Sequence, residues 1–161
     1  MLLFLDVDGP LIPFGAADLD YPRYPGPVEA AAGHPLLTRA DPALGARLVA
    51  LGCELVWATT WMDDANAVLA PWLGLPALPV VEWPDEEDAP PGPLHWKTRT
   101  LVARAAGRPF IWVDDELTGA DRAWTAAHHP GPALLHRVDH RYGLTVADFA
   151  VLEEWVGAVG R

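Results

Sequence analysis

Asp6 and Asp8 stand two residues apart at the end of the apolar run Leu2-Leu3-Phe4-Leu5, and Gly9 and Pro10 follow them. Residues i and i+2 of a strand point to the same side, about 6 to 7 Å apart, so the two carboxylates converge on one point. Two anions held that close away from water are costly, and a metal ion is the usual remedy. A turn is the plain alternative, since Asp-Gly-Pro is turn chemistry. One aspartate would suffice for a turn, however, and the pair points to a metal-assisted site.

Three other apolar runs, 54–58, 109–113 and 133–138, are short, continuous and bounded by breakers, as buried parallel strands are. Helical patterns separate them. Asp41-Pro42 opens a helix with Leu44, Leu48 and Leu51 on one face and Gly52 at its end. A second helix is expected from Asp63 to about Leu73, shortened or kinked by Pro71. A third runs from Trp96 to Gly107 and a short fourth from Gly119 to His128. The last, Val146 to Val159, opens with Thr145 and Asp148 at capping-box spacing. Strands alternating with helices give an α/β fold, a three-layer, doubly wound and mainly parallel sheet whose ligands bind beyond the carboxyl ends of the strands.

Those ends carry polar residues. The first strand ends in Asp6 and Asp8, the second in Thr59-Thr60 and the third in Asp114-Asp115-Glu116, while Lys97 opens the third helix. Each has a plain reading alone: a threonine after a strand caps the next helix, and a lysine in a first helical turn is solvated. The coincidence of all four carries the argument.

In the order Asp-x-Asp, Thr, Lys, Asp-Asp, these residues resemble the four motifs of the haloacid dehalogenase-like (HAD) superfamily of phosphatases and related hydrolases. Receiver domains combine similar residues in a different order. The resemblance implies a Rossmannoid core and an aspartyl-phosphate mechanism, with Asp6 as nucleophile and Asp8 as the acid that protonates the leaving group and then activates water. It implies that Thr59 hydrogen-bonds the phosphoryl oxygens and that Lys97 neutralises charge on nucleophile and phosphate. Asp6, Asp8 (through its carbonyl) and Asp114 would hold Mg2+, and Asp115 would bind through water or position Lys97. Gly9, Thr60 and Trp61 are the expected substrate contacts; Thr60 stands where many members have glycine or asparagine, which implies a tighter phosphate cradle. Members that dehalogenate carbon lack a carboxylate at the place of Asp8, and transport ATPases carry threonine there, so Asp8 favours phosphate-ester hydrolysis. Asp-Val-Asp-Gly-Pro-Leu and Trp-Ala-Thr-Thr-Trp-Met-Asp-Asp-Ala-Asn further resemble a small bacterial subgroup of HAD domains, some of them related to RNA-repair proteins.

The chain has 161 residues, the length of one ordinary domain. An irregular excursion, 10–40, with Tyr21 and Tyr24, stands where a flap or minimal cap belongs, and an acidic, proline-rich loop is expected at 76–93. Neither is long enough for a large cap. The net charge of −11 repels polyanions overall, yet Glu82, Asp85, Glu86, Glu87 and Asp88 gather much of it in one loop, so nucleic acid remains a candidate only as a substrate end. Other candidate substrates are nucleotides, phosphoproteins and small phosphorylated metabolites, and an oligomer could supply missing cover. The alternative is a silent phosphate- or partner-binding module on the same fold. A second alternative, phosphoryl transfer between substrates, differs in how well water is excluded.

Cys53, the single cysteine, reads as a structural thiol. No apolar stretch reaches the 18 or so residues of a membrane span, and no leader pattern precedes the first strand, so a cytoplasmic setting is the expectation. Trp61 and Trp96 flank the predicted pocket, with ordinary packing as the plainer role for each. The six histidines lack metal-ligand spacing and are read as non-catalytic, His95 being the nearest to the site.

Overall fold

The computed structural model describes residues 1–26, 33–84 and 92–160. Four strands, β1 (Leu2–Leu5), β2 (Glu54–Trp57), β3 (Phe110–Asp114) and β4 (Ala133–Arg137), form one sheet in the order β2-β1-β3-β4. All three pairings are parallel, with Leu2 opposite Glu54 and Phe110, and Asp114 opposite Arg137. Every residue of β1 and β3 is buried, as a central parallel strand covered on both faces requires.

Alternation along the strands divides the core in two. Leu3, Leu5, Leu55, Trp57, Ile111 and Val113 point to one face, where Leu44 and Leu48 of α1 (Ala43–Ala50) and Phe149 and Leu152 of α5 (Val146–Val159) cover them. Leu2, Phe4, Val56, Phe110 and Trp112 point to the other, against Leu101 and Ala105 of α3 (Thr98–Ala105). Helix α4 (Gly119–His128) follows β3 and leads to β4. The result is the three-layer, doubly wound Rossmannoid sandwich without a large cap.

Caps behave as their sequences predict. Asp41 Oδ1 accepts from the amide of Ala43 at the head of α1, and Gly52 follows its end with φ +68°. Thr145 and Asp148 form a reciprocal capping box on α5. Gly45, inside α1, is a close-approach residue, because a Cβ there would lie 1.9 Å from the carbonyl oxygen of Leu73.

Two regions differ from expectation. The segment after β2 begins as a π-helical turn, Ala65–Leu69, and becomes α-helical only in the short α2 (Ala70–Trp72). Pro71 has no amide hydrogen and its ring crowds the carbonyl four residues back, which the wider turn relieves. Asn66 in that turn accepts from Trp57 Nε1 and from the amide of Leu78, and donates to the Leu78 carbonyl. The start of the expected 76–93 loop is therefore not free: Trp57 donates its amide to Pro79 and accepts from Val81, and Val81 is buried. The exposed edge of β2 needs backbone partners, and this segment supplies them. Glu82 is exposed, whereas Asp85, Glu86, Glu87 and Asp88 lie outside the described residues. Helix α3 begins at Thr98, after a turn in which His95 Nδ1 accepts the amide of Lys97. No helix among the described residues is long and apolar enough to cross a membrane.

Candidate active site

Parallel strands end on one side, and the register brings the polar residues together there. Asp6 stands one residue past β1, Thr59 two past β2, and Asp114 closes β3. Lys97 reaches between them from the turn before α3. Its Nζ lies 2.9 Å from Asp6 Oδ2 and 2.9 Å from Asp114 Oδ2, and the residue is only 3% exposed. Burial works against its charge, but the two carboxylates outweigh burial and hold the ammonium above its ordinary pKa.

Asp6 is pulled both ways. Burial pushes its carboxyl up, Lys97 draws it down and Asp114 pushes it up again, leaving it at about 7. Asp115 is also raised, by burial and by the neighbouring Asp114. One oxygen from each of Asp6, Asp114 and Asp115 fits within a group spanning 4.8 Å. Three carboxylates around one ammonium leave two negative charges uncompensated when all are ionised. Hard oxygen donors with that deficit fit a divalent ion such as Mg2+.

Asp114 and Asp115 differ in their surroundings. Both oxygens of Asp114 are engaged: Oδ2 accepts from Lys97 and from Trp112 Nε1 at 3.2 Å, and Oδ1 accepts the amide of Glu116 at 3.0 Å. Asp115 packs instead against Gly9, whose φ is +91° and where a Cβ would come within 2.7 Å of Asp115 Cγ. Only glycine offers both that backbone conformation and that space.

Asp8 is exposed, and its carboxylate is not in the three-residue group. Its Oδ2 accepts from Trp61 Nε1 at 3.0 Å, and the Trp61 ring stacks on His34, centroids 4.6 Å apart. Thr59 is buried; its hydroxyl accepts the amide of Trp61, and its carbonyl accepts from Trp83 Nε1. Three indoles thus grip three motif residues: Trp61 holds Asp8, Trp83 holds Thr59 and Trp112 holds Asp114. Of these, sequence reading singled out Trp61 alone, as a packing or stacking group, and the role of all three as hydrogen-bond donors to the site was not evident from spacing.

Asp6, Asp8, Thr60, Lys97 and Asp115 line a cavity of about 170 Å3, with Phe14, Trp96 and Glu116 completing its wall. Trp96 is 44% exposed there. Tyr21 and Tyr24 line a different cavity, of about 280 Å3.

Asp121 is a residue that sequence reading missed. Wholly buried, it accepts from the His95 amide, the Thr98 hydroxyl, and both the amide and hydroxyl of Thr118 at 2.7–2.9 Å. It clasps the chain on both sides of Lys97 to the head of α4. The Thr118-x-x-Asp121 spacing was a readable capping signal; its link to Lys97 was not. His95 completes the turn, its Nε2 lying 3.2 Å from Glu116 Oε2.

Residues 2–149 match the sequence pattern of the family described as the HAD domain in Swiss Army Knife RNA repair proteins. No curated protein and no solved structure matches the chain.

Proposed function

The chain belongs to the family of HAD domains in Swiss Army Knife RNA repair proteins, a HAD-like domain of the phosphoesterase class, and from that premise we propose that it is a Mg2+-dependent phosphomonoester hydrolase working through an aspartyl phosphate on Asp6. The observation that carries this reading is Lys97, buried with its ammonium 2.9 Å from both Asp6 and Asp114. A buried cation between a strand-end carboxylate and a second acid is poised to receive the charge of a phosphoryl group.

In the proposed reaction a carboxylate oxygen of Asp6 bonds to phosphorus as the bond to the leaving oxygen breaks. Asp8 gives that oxygen its proton. The Asp8 carboxylate then takes a proton from water, whose oxygen attacks phosphorus, releases phosphate and restores Asp6. Lys97 holds charge on the phosphoryl oxygens throughout. The Thr59 hydroxyl, which accepts the Trp61 amide, has its own hydrogen left to donate to them. Thr60 lines the cavity, and Gly9 packs behind its wall against Asp115.

Asp6, Asp114 and Asp115 are the carboxylates assigned to Mg2+, with the Asp8 carbonyl as the contribution the family pattern implies. Asp114 belongs to that group while its oxygens also accept from Lys97, Trp112 and the amide of Glu116, just as Asp6 accepts from the amide of Val7 and meets Lys97. When bound, the ion supplies positive charge and Lewis acidity to the phosphoryl oxygens. Among substrate classes, the family description favours a phosphate at an RNA end. The test is release of phosphate from a mixed panel of RNA-end, nucleotide, phosphoprotein and metabolite phosphates, with and without Mg2+. Mg2+-dependent release that disappears in Asp6→Asn is expected; equal release by Asp6→Asn would overturn the mechanism.

A further inference from the structure

Among the described arginines, Arg137 is the one anchored to the acidic cluster. Its Nε donates to the carbonyl of Asp115 at 2.9 Å, and no described carboxylate lies within ion-pair distance of it. One N–H fixes the side chain and leaves the rest of a planar, permanently charged fork for another acceptor. Arg141 is different, because Asp139 already takes its Nε and Nη2.

His140 links this cation to the site. Its Nδ1 lies 4.0 Å from Asp115 Oδ2, and its ring stacks on Phe14 with centroids 4.9 Å apart. Arg137, His140 and Arg141 line a cavity of about 380 Å3, while Asp115 and Phe14 line the 170 Å3 cavity that holds Asp6. His140, in the lining of the larger cavity, thus lies against Asp115 and Phe14 in the lining of the smaller one. In a chain of net charge −11, and beside a pocket where Lys97 is the one cation among the described lining residues, an anchored arginine with no carboxylate partner among the described residues is a local reversal of sign.

We propose that Arg137 and His140 form a second anion subsite that takes another phosphate of the substrate, carried on the leaving group next to the phosphate being cleaved. The guanidinium fork suits bidentate contact with phosphate oxygens, and the imidazole adds one donor. The subsite gives a substrate with two neighbouring phosphates an advantage over one with a single phosphate. That second phosphate could be the monoester of a bisphosphate or the diester of a longer strand. This inference rests on the phosphomonoesterase reading.

The experiment is calorimetric binding in Mg2+ to the Asp8→Asn protein, which keeps Asp6 and Lys97 but lacks the acid that drives turnover. A nucleoside 3′-monophosphate, a nucleoside 3′,5′-bisphosphate and a 3′-phosphorylated dinucleotide are the ligands. The bisphosphate should bind about tenfold more tightly than the monophosphate. Adding Arg137→Gln should erase most of that preference and lower the salt slope of bisphosphate binding by about one counterion, whereas Arg137→Lys should keep part of the preference. A gain shared by the dinucleotide identifies a diester as the natural occupant, and a gain confined to the bisphosphate identifies a monoester. Equal affinity for one and two phosphates, or a preference that survives Arg137→Gln, overturns the subsite. Failure of all three ligands to bind overturns the phosphomonoesterase reading beneath it.

Discussion

Oδ2 of Asp6 and Nζ of Lys97 lie 2.9 Å apart, both residues almost wholly out of water. The pair does not stand alone, since the same ammonium meets Asp114 at 2.9 Å. Removing the cation would leave two acids facing each other in a buried site. Lys97→Met should cost about 3–5 kcal/mol of stability, as the loss of one member of a buried ion pair does. It should also lower phosphatase turnover by about a hundred- to a thousandfold. Denaturant titration and phosphate release measure the two effects separately, and Mg2+ should restore part of the first without the second.

The raised Asp6 carboxyl makes stability depend on pH with a definite sign. Its ordinary value is 3.8 and its folded value about 7. Between those limits the unfolded chain has lost the proton while the folded chain keeps it, so stability from this group is complete on the acid side and is lost as pH rises toward 7. Melting curves in EDTA should show wild type losing stability relative to Asp6→Asn across that window, a difference in which titrating groups remote from the site cancel. Added Mg2+ should flatten the difference, because it favours the ionised form. A wild-type protein that gains stability relative to Asp6→Asn in EDTA contradicts the assignment.

Gly9→Ala tests how closely the first loop must approach the third strand. The added methyl would fall 2.7 Å from Asp115 Cγ, at a backbone φ of +91°. Strain of this kind costs about 1–3 kcal/mol, and here it is relieved by moving a proposed metal ligand. Mg2+ affinity, followed by calorimetry or by the Mg2+ dependence of melting, should fall by about tenfold or more. An unchanged affinity would remove Asp115 from the metal site.

Thr98 carries one strand of the clasp that Asp121 places around Lys97. Thr98→Val removes the hydroxyl and keeps the shape, leaving a buried Asp121 oxygen with one donor fewer at a cost of about 1–3 kcal/mol. A positioning role predicts a fall in kcat with KM nearly constant, and recovery in Thr98→Ser. Equal kinetics in Thr98→Val and wild type, despite lower stability, would make the clasp structural only.

The strands were legible because each is a continuous apolar run ended by a breaker, and the strand-end acids were legible because carboxylates do not end buried strands without cause. The capping boxes and Gly52 were legible from local chemistry. What escaped sequence reading depends on neighbours distant in the chain. The π-helical turn follows from Pro71 together with Asn66 reaching Trp57 and Leu78, and Val81 is buried because β2 has a free edge. The different surroundings of Asp114 and Asp115 could not be read from two adjacent aspartates, since Lys97, Trp112 and Gly9 distinguish them only in space. The same holds for Arg137, whose meaning comes from a hydrogen bond to a carbonyl on the neighbouring strand's exit.

In the proposed mechanism Asp6 itself carries the phosphoryl group. Rapid acid quench of the protein with Mg2+ and a hydrolysed substrate, followed by mass spectrometry of the N-terminal peptide, tests it directly. A phosphoryl adduct on Asp6 should form and decay within turnover, accumulate when Asp8 is replaced by Asn and a good leaving group is used, and be absent from Asp6→Asn. Phosphate release with the adduct on another residue, or undiminished release by Asp6→Asn, would contradict it.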